Sequence, residues 1–94
     1  LVRRFVSAYR ARWDNETPDA FAALGYDAVG VLADAIRRAG STEGPRLRDS
    51  VAATRNFRGA TGETTIDANR DASKPATIIA IRGGKLHFLE TVAP

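Results

Sequence analysis

The side chains able to do chemistry are few and widely spaced along this chain. His87 is the single histidine and there is no cysteine, so thiolate nucleophiles, disulfides and Cys-ligated zinc are excluded and no multi-histidine metal site can form. Only Glu90 and Thr91 lie at local spacing from His87, and an exposed or core-edge histidine fits that setting better than a general base. Asp27 and Asp34 invite reading as a carboxylate pair, but their separation on a helix is two turns, about 10 Å, too far to share a proton. Solvation, or pairing with Arg37 or Arg38, is the expected fate of both acids. No catalytic residue, metal ligand or cofactor is assigned, and no enzymatic activity is expected.

Two loops carry motif-like spacing. Asp67-Ala68-Asn69-Arg70-Asp71 copies the opening of a calcium-binding EF-hand loop, in which alternating oxygens surround a hard cation. The rest of that loop fails, because Ala72 stands where glycine is required and Ile78 where a bidentate glutamate is required. A turn built on Asx hydrogen bonds is expected instead. Gly59-Ala60-Thr61-Gly62 has the spacing of the loop with which KH domains clamp a nucleic-acid backbone, yet that loop joins two helices and this one leads into a strand. Its glycines are read as positive-φ corners. The aromatic residues Phe5, Tyr9, Trp13, Phe21 and Tyr26 gather near the amino terminus. Core packing is the ordinary reason for them; the sharper one is the aromatic wall of a ligand cleft, with Phe21, on the first turn of a helix, best placed to face outward.

The chain that must position these groups has 94 residues, 44% of them hydrophobic and 27% charged, which fits one folded unit and neither a disordered nor a low-complexity chain. The net charge is +3, from 14 basic and 11 acidic residues. Arginines are interleaved with acids such as Asp14, Asp34, Glu43 and Asp49, the pattern of a mixed solvated surface rather than a nucleic-acid stripe. No apolar run approaches the roughly 18 residues of a membrane span, and the first residues lack a signal-peptide pattern. With no Met anywhere, even at position 1, the chain reads as a processed or excised piece. A unit this small buries only about 60 to 65% of its unfolded surface against an ordering cost of roughly 1.5 kcal/mol per residue, so a missing partner surface is expected.

Apolar residues at Val2, Phe5, Val6, Tyr9 and Trp13 follow the 3-4 spacing of an amphipathic helix over residues 1–13. Thr17-Pro18-Asp19 predicts the start of a second helix, with Thr17 as cap and Pro18 in the first turn. It runs to Ala39 and stops at Gly40, with Phe21, Leu24, Ala28, Leu32, Ala35 and Ile36 along one stripe. Gly25 and Gly30 inside it each cost about 1 kcal/mol relative to Ala, which points to close approach of another backbone. A third helix is predicted over residues 45–54, its inward face Leu47, Val51 and Thr54. After Arg55 the grammar changes to turn formers around a short strand at residues 64–66. A strand over 76–82, a Gly83-Gly84 turn and a returning strand over 85–92 form an antiparallel hairpin, with Leu86, Phe88 and Glu90 expected on one face. So little sheet is marginal alone and is expected to continue into strands outside the chain. Taken alone, the chain is α+β.

Read in order, several stretches resemble one family. Phe5-x-x-x-Tyr9, Pro18, Gly25-Tyr26-Asp27-Ala28-Val29, Leu32-Ala33-Asp34-Ala35-Ile36 and Ala39-Gly40-Ser41 are similar to the solute-binding proteins of branched-chain amino-acid ABC transporters. Leu47-Arg48-Asp49-Ser50-Val51, Asn56-Phe57-Arg58-Gly59-Ala60-Thr61-Gly62, Ile66-Asp67-x-Asn69-Arg70-Asp71 and Lys74-Pro75 extend the likeness through the second half.

The resemblance implies an α/β chain, the carboxy-terminal fragment of a type I periplasmic-binding-protein fold, whose two lobes close on a small solute. It implies that residues 1–58 are the helical part of the first lobe, 59–75 a crossover region and 76–94 a hairpin of the second lobe. It also implies a bacterial periplasmic or cell-surface location, an amino acid or analogue as solute, a membrane ABC permease as partner, and no nucleic acid. Members for amides, urea or aromatic acids leave the solute open, and a small basic nucleic-acid-binding domain is the alternative of another class. Phe21 is the one ligand-contacting residue carried over; Tyr26 and Asp27 match the pattern and are read as packing residues. The isolated chain is expected to bind no solute and to self-associate through apolar surfaces such as the Val29 and Val31 side of the second helix.

Overall fold

The computed structural model describes residues 1–94. Helix α1 (Val2–Arg12) turns Phe5 inward, where its ring meets that of Tyr26 at 4.8 Å between centroids. Burial of such a ring contributes about 1.5–3 kcal/mol. Arg10 and Arg12 in the last turn complement the negative end of the helix dipole. Asp14 and Asn15 then reverse the chain with φ of 43° and 65°, a region that short side chains with local hydrogen bonds tolerate.

Helix α2 (Ala20–Ala39) begins later than Thr17-Pro18 predicts. Asp19 is the cap, its carboxylate accepting from the Ala22 N–H at 2.8 Å. A carboxylate there satisfies an orphan donor and also meets the positive end of the dipole. Thr17 instead accepts from the Arg10 guanidinium at 2.7 Å. Gly40 ends the helix in the left-handed region, as its position predicts, with φ of 60°.

Helix α3 (Gly44–Ala52) starts with Pro45 in its first turn and ends before Thr54. Thr54 is 1% exposed and accepts from Arg38 at 2.9 Å. Arg38 also donates to the Ser50 carbonyl and to Asp34, both at 2.7 Å, while the Ser50 hydroxyl donates to the carbonyl of buried Ala35 at 2.8 Å. These bonds lock α3 across α2. Asp34 pairs with Arg37 and Arg38 as expected.

Strands β1 (Phe57–Gly59), β2 (Gly62–Ile66) and β3 (Ala72–Ser73) form one antiparallel sheet in the order β1-β2-β3. Only the last three residues of β2, 64–66, match the expected strand. The flanking strands are short and rich in turn formers, so pairing with β2 holds them in place of their own propensity. Strands β4 (Ala76–Arg82) and β5 (Lys85–Val92) form a separate two-stranded sheet, so β2 and the hairpin do not share one. Gly83 and Gly84 make the predicted turn, both with positive φ, 57° and 72°.

A bulge corrects the expected hairpin face. Ile78 pairs with Glu90 while Ile79 pairs with Phe88, which leaves Leu89 as the extra residue. The slip moves Glu90 to the face opposite Leu86 and Phe88. The face without Glu90 carries Ile79, Ile81, Leu86 and Phe88 together, and all four are exposed.

Five of the 94 residues are buried, and the radius of gyration is 15.8 Å. A compact domain of this length would measure about 12 Å. The molecule, 51 × 33 × 16 Å, is an internally tied helical body from which a hairpin extends with little covering on either face.

Candidate functional site

The one buried charged residue in the molecule is Asp27. It lies on α2 on the same side as Leu24 and Val31, an acid within an otherwise apolar stripe, and is only 5% exposed. One carboxylate oxygen accepts from the Ala60 N–H at 2.6 Å. The other accepts from the Thr61 N–H at 2.8 Å and from the Thr61 hydroxyl at 2.5 Å. Lys74 completes the cluster: its ammonium donates to the Thr61 hydroxyl and stands 4.0 Å from the carboxylate.

Two glycines make this contact possible. A Cβ at Gly59 would fall on the Asp27 carboxylate, so only glycine lets the β1–β2 turn come this close. Gly30, one turn along α2, faces the Phe57 ring, and a Cβ there would lie 2.8 Å from the ring tip. The α2 surface thus offers an acceptor at residue 27 and a recess at residue 30, and the turn brings donors to one and an aromatic ring to the other. Gly30 is therefore explained by a side chain rather than by the expected backbone approach. Gly25 has nothing within 4 Å of a notional Cβ, and nothing in the structure explains it.

Burial is the largest single influence on the Asp27 carboxyl and pushes its pKa up. The Thr61 hydroxyl, the Thr61 and Ala60 amides and the Lys74 charge together outweigh it and hold the pKa below the ordinary 3.8. An ionised carboxylate committed to this many donors is a poor base. What it does is fix the turn.

The residues beside Asp27 in the sequence do not reveal this role. Asp27 is neither solvated nor paired with Arg37 or Arg38, and it is a polar clamp rather than a packing residue. Its partners lie 33 and 34 residues away, beyond any local spacing rule, although an acid on an apolar helical stripe was a visible signal. Tyr26 packs on Phe5 as expected.

The other candidates fall apart from this cluster. Phe21 sits in the first turn of α2 and is 80% exposed, facing outward as expected. It lines none of the surface grooves. Phe5, Tyr9, Trp13 and Tyr26 instead form a chain of neighbouring rings, which separates their packing role from the position of Phe21. His87 is exposed on β5 opposite Ala80.

In the loop after β2, the Asp67 carboxylate accepts from the Asn69 and Asp71 amides at 2.8 and 2.9 Å, the expected Asx turn. The loop Gly59-Ala60-Thr61-Gly62 joins two strands, and the amides that would greet a phosphate are donated to Asp27. Gly62 has positive φ, at 106°, as expected; Gly59 does not, and is required by closeness to Asp27 instead.

A model of the periplasmic binding protein family matches residues 1–85. Among solved structures, a leucine-binding protein of Thermotoga maritima, LivK, is 39% identical with a TM-score of 0.78, over 99% of this chain and 26% of its own. The branched-chain amino-acid transporter substrate-binding protein LivJ of Streptococcus pneumoniae, solved in complex with isoleucine, is 38% identical with a TM-score of 0.79 and the same coverage. A solute-binding protein of an ABC transporter from R. palustris, in complex with benzoate, is 26% identical with a TM-score of 0.76, over 98% of this chain and 26% of its own. The chain thus spans about a quarter of the length of these relatives. No curated protein matches it.

Proposed function

The chain belongs to the periplasmic binding protein family, and we propose that it is the carboxy-terminal part of a two-lobe, extracytoplasmic solute-binding component of an ABC transporter. The solute in this reading is a branched-chain amino acid or a related small molecule, delivered to a membrane permease in a bacterial periplasm or at the cell surface. The observation that carries it is end-to-end agreement, over 99% of the chain, with the leucine-binding LivK and with the isoleucine complex of LivJ. The benzoate complex of a less similar relative makes aromatic acids the second solute class.

Residues 1–58 would belong to the first lobe, 59–75 to a crossover and 76–94 to the second lobe. The exposed hairpin faces and the separation of the two sheets support that division. Capture then proceeds without covalent chemistry or a cofactor: a solute that touches both lobes favours the closed state by its differential affinity. Phe21 would offer an exposed aromatic surface to the solute side chain. Its exposure at the start of α2 supports this.

The test is calorimetric titration of the two-lobe protein containing these residues with leucine, isoleucine, valine and benzoate. Saturable binding of one class is expected, weakened by roughly tenfold in Phe21→Ala, about 1.4 kcal/mol of lost contact. Absence of binding to every member of the panel by the folded protein would remove the reading.

A further inference from the structure

We propose that Asp27 is a positioning residue for lobe closure: by holding the turn at Ala60 and Thr61, and through Thr61 the Lys74 ammonium, it fixes the direction in which the chain leaves the helical body for the β4–β5 hairpin. The inference rests on the two-lobe reading above and adds to it the group that sets the geometry of the junction.

The path is short and traceable. Asp27 is carried by α2, a 20-residue helix and the longest element of the molecule. Its carboxylate takes the amides of Ala60 and Thr61 and the Thr61 hydroxyl. That hydroxyl donates to Asp27 and accepts from Lys74, so one side chain links helix, turn and outgoing strand. Lys74 is followed by Pro75, whose ring restricts φ, and β4 begins at Ala76.

The chain changes character there. From Ala76 to the end no residue is buried. Besides the Lys74 link, the stretch is tied to the body by the two-residue β3 ladder, in which Ala72 and Ser73 pair with Ile66 and Thr65. A ladder that short sets a position but resists rotation poorly, whereas the side chain of the next residue, Lys74, reaches Thr61 and Asp27 at the β1–β2 turn, beyond the other end of β2 from the ladder. Two separated attachments define a direction.

The experiment places spin labels at Arg37→Cys on α2 and Lys85→Cys at the start of β5 in the two-lobe protein and measures the distance distribution between them without solute. A narrow distribution is expected in the parent. It should broaden in Lys74→Met, which takes the ammonium from Thr61 and Asp27, and in Thr61→Val, which removes the hydroxyl's bonds to Asp27 and Lys74, and stay narrow in Thr61→Ser, which keeps the hydroxyl. Solute release should quicken by about tenfold in Lys74→Met and Thr61→Val, the scale of one lost hydrogen bond to a charged group. An unchanged distribution in folded Lys74→Met and Thr61→Val would overturn the proposal, as would equal broadening in Thr61→Ser and Thr61→Val. Asp27→Asn should broaden it most; should that variant fail to fold, the two milder ones decide. A parent that binds no tested solute would count against the functional reading, while the label distances would still test the junction.

Discussion

Around Asp27 the groups that leave water all find partners, and no buried side-chain polar atom in the molecule lacks one. Along β4–β5 the backbone is paired in the same way, yet Ile79, Ile81, Leu86 and Phe88 line one face and all four are exposed. The first region is an interface that this chain completes by itself. In the two-lobe reading the second is half of one. Hydrogen bonds are satisfied one by one between few atoms, so a short chain can close a polar junction. Apolar burial scales with area, and a two-stranded sheet has no second layer to supply it.

Removing the Asp27 carboxylate should break the first region with the largest effect. Asp27→Ala strands the Ala60 and Thr61 donors and the Lys74 charge, at a cost of about 3 kcal/mol, given ~1–3 kcal/mol for each buried donor left unpaired. Urea denaturation followed by circular dichroism measures the loss.

Protonation should act in the same direction. Because the folded-state pKa of Asp27 is held below the ordinary 3.8, its stabilising contribution is fully present at neutral pH. It is lost as pH falls below that value and through the folded pKa. A stability profile between pH 2 and 6, a range chosen to bracket ordinary carboxylate values, should fall at its acid end less steeply in Asp27→Asn than in the parent.

The hairpin face offers the next test. The 94-residue chain alone should self-associate, and Ile81→Lys with Phe88→Lys should leave it monomeric by light scattering. Each of these side chains can contribute at most about 1.5–3 kcal/mol when covered. Association that persists unchanged in the double variant would place the sticky surface elsewhere, with the Val29 side of α2 the next candidate.

The smallest effects come from the two helical glycines and have opposite signs. Gly30→Ala drives a methyl into the Phe57 ring, an overpacking cost of about 1–3 kcal/mol only partly offset by the ~1 kcal/mol gain in helix propensity. Gly25→Ala meets nothing within 4 Å and should raise the stability of this chain by up to ~1 kcal/mol. Thermal melts of the two variants side by side read the difference.

Features set by neighbours in sequence were legible before the structure. The 3-4 spacing located α1, Gly40 marked the end of α2, Gly83-Gly84 located the hairpin turn, and Asp67 with Asn69 and Asp71 marked an Asx turn. Features set by distant partners were not. Strands β1 and β3 exist because β2 lies between them. The β5 bulge, invisible in an alternation pattern, sends Glu90 to the other face. Asp27 finds Ala60 and Thr61 only once the β1–β2 turn has folded onto α2. The choice of Asp19 over Thr17 as cap is a local contest between two acceptors, decided in favour of the charged one. The exposed position of Phe21 was legible because a first-turn residue beside a cap has little of the body above it.

The most direct measurement compares the 94-residue chain with the two-lobe protein that contains it, each titrated with leucine and isoleucine in a calorimeter. The expected result is saturable heat from the two-lobe protein and none from the 94 residues, because in the two-lobe reading these residues supply only part of the cleft. Micromolar binding by the 94 residues alone would contradict it.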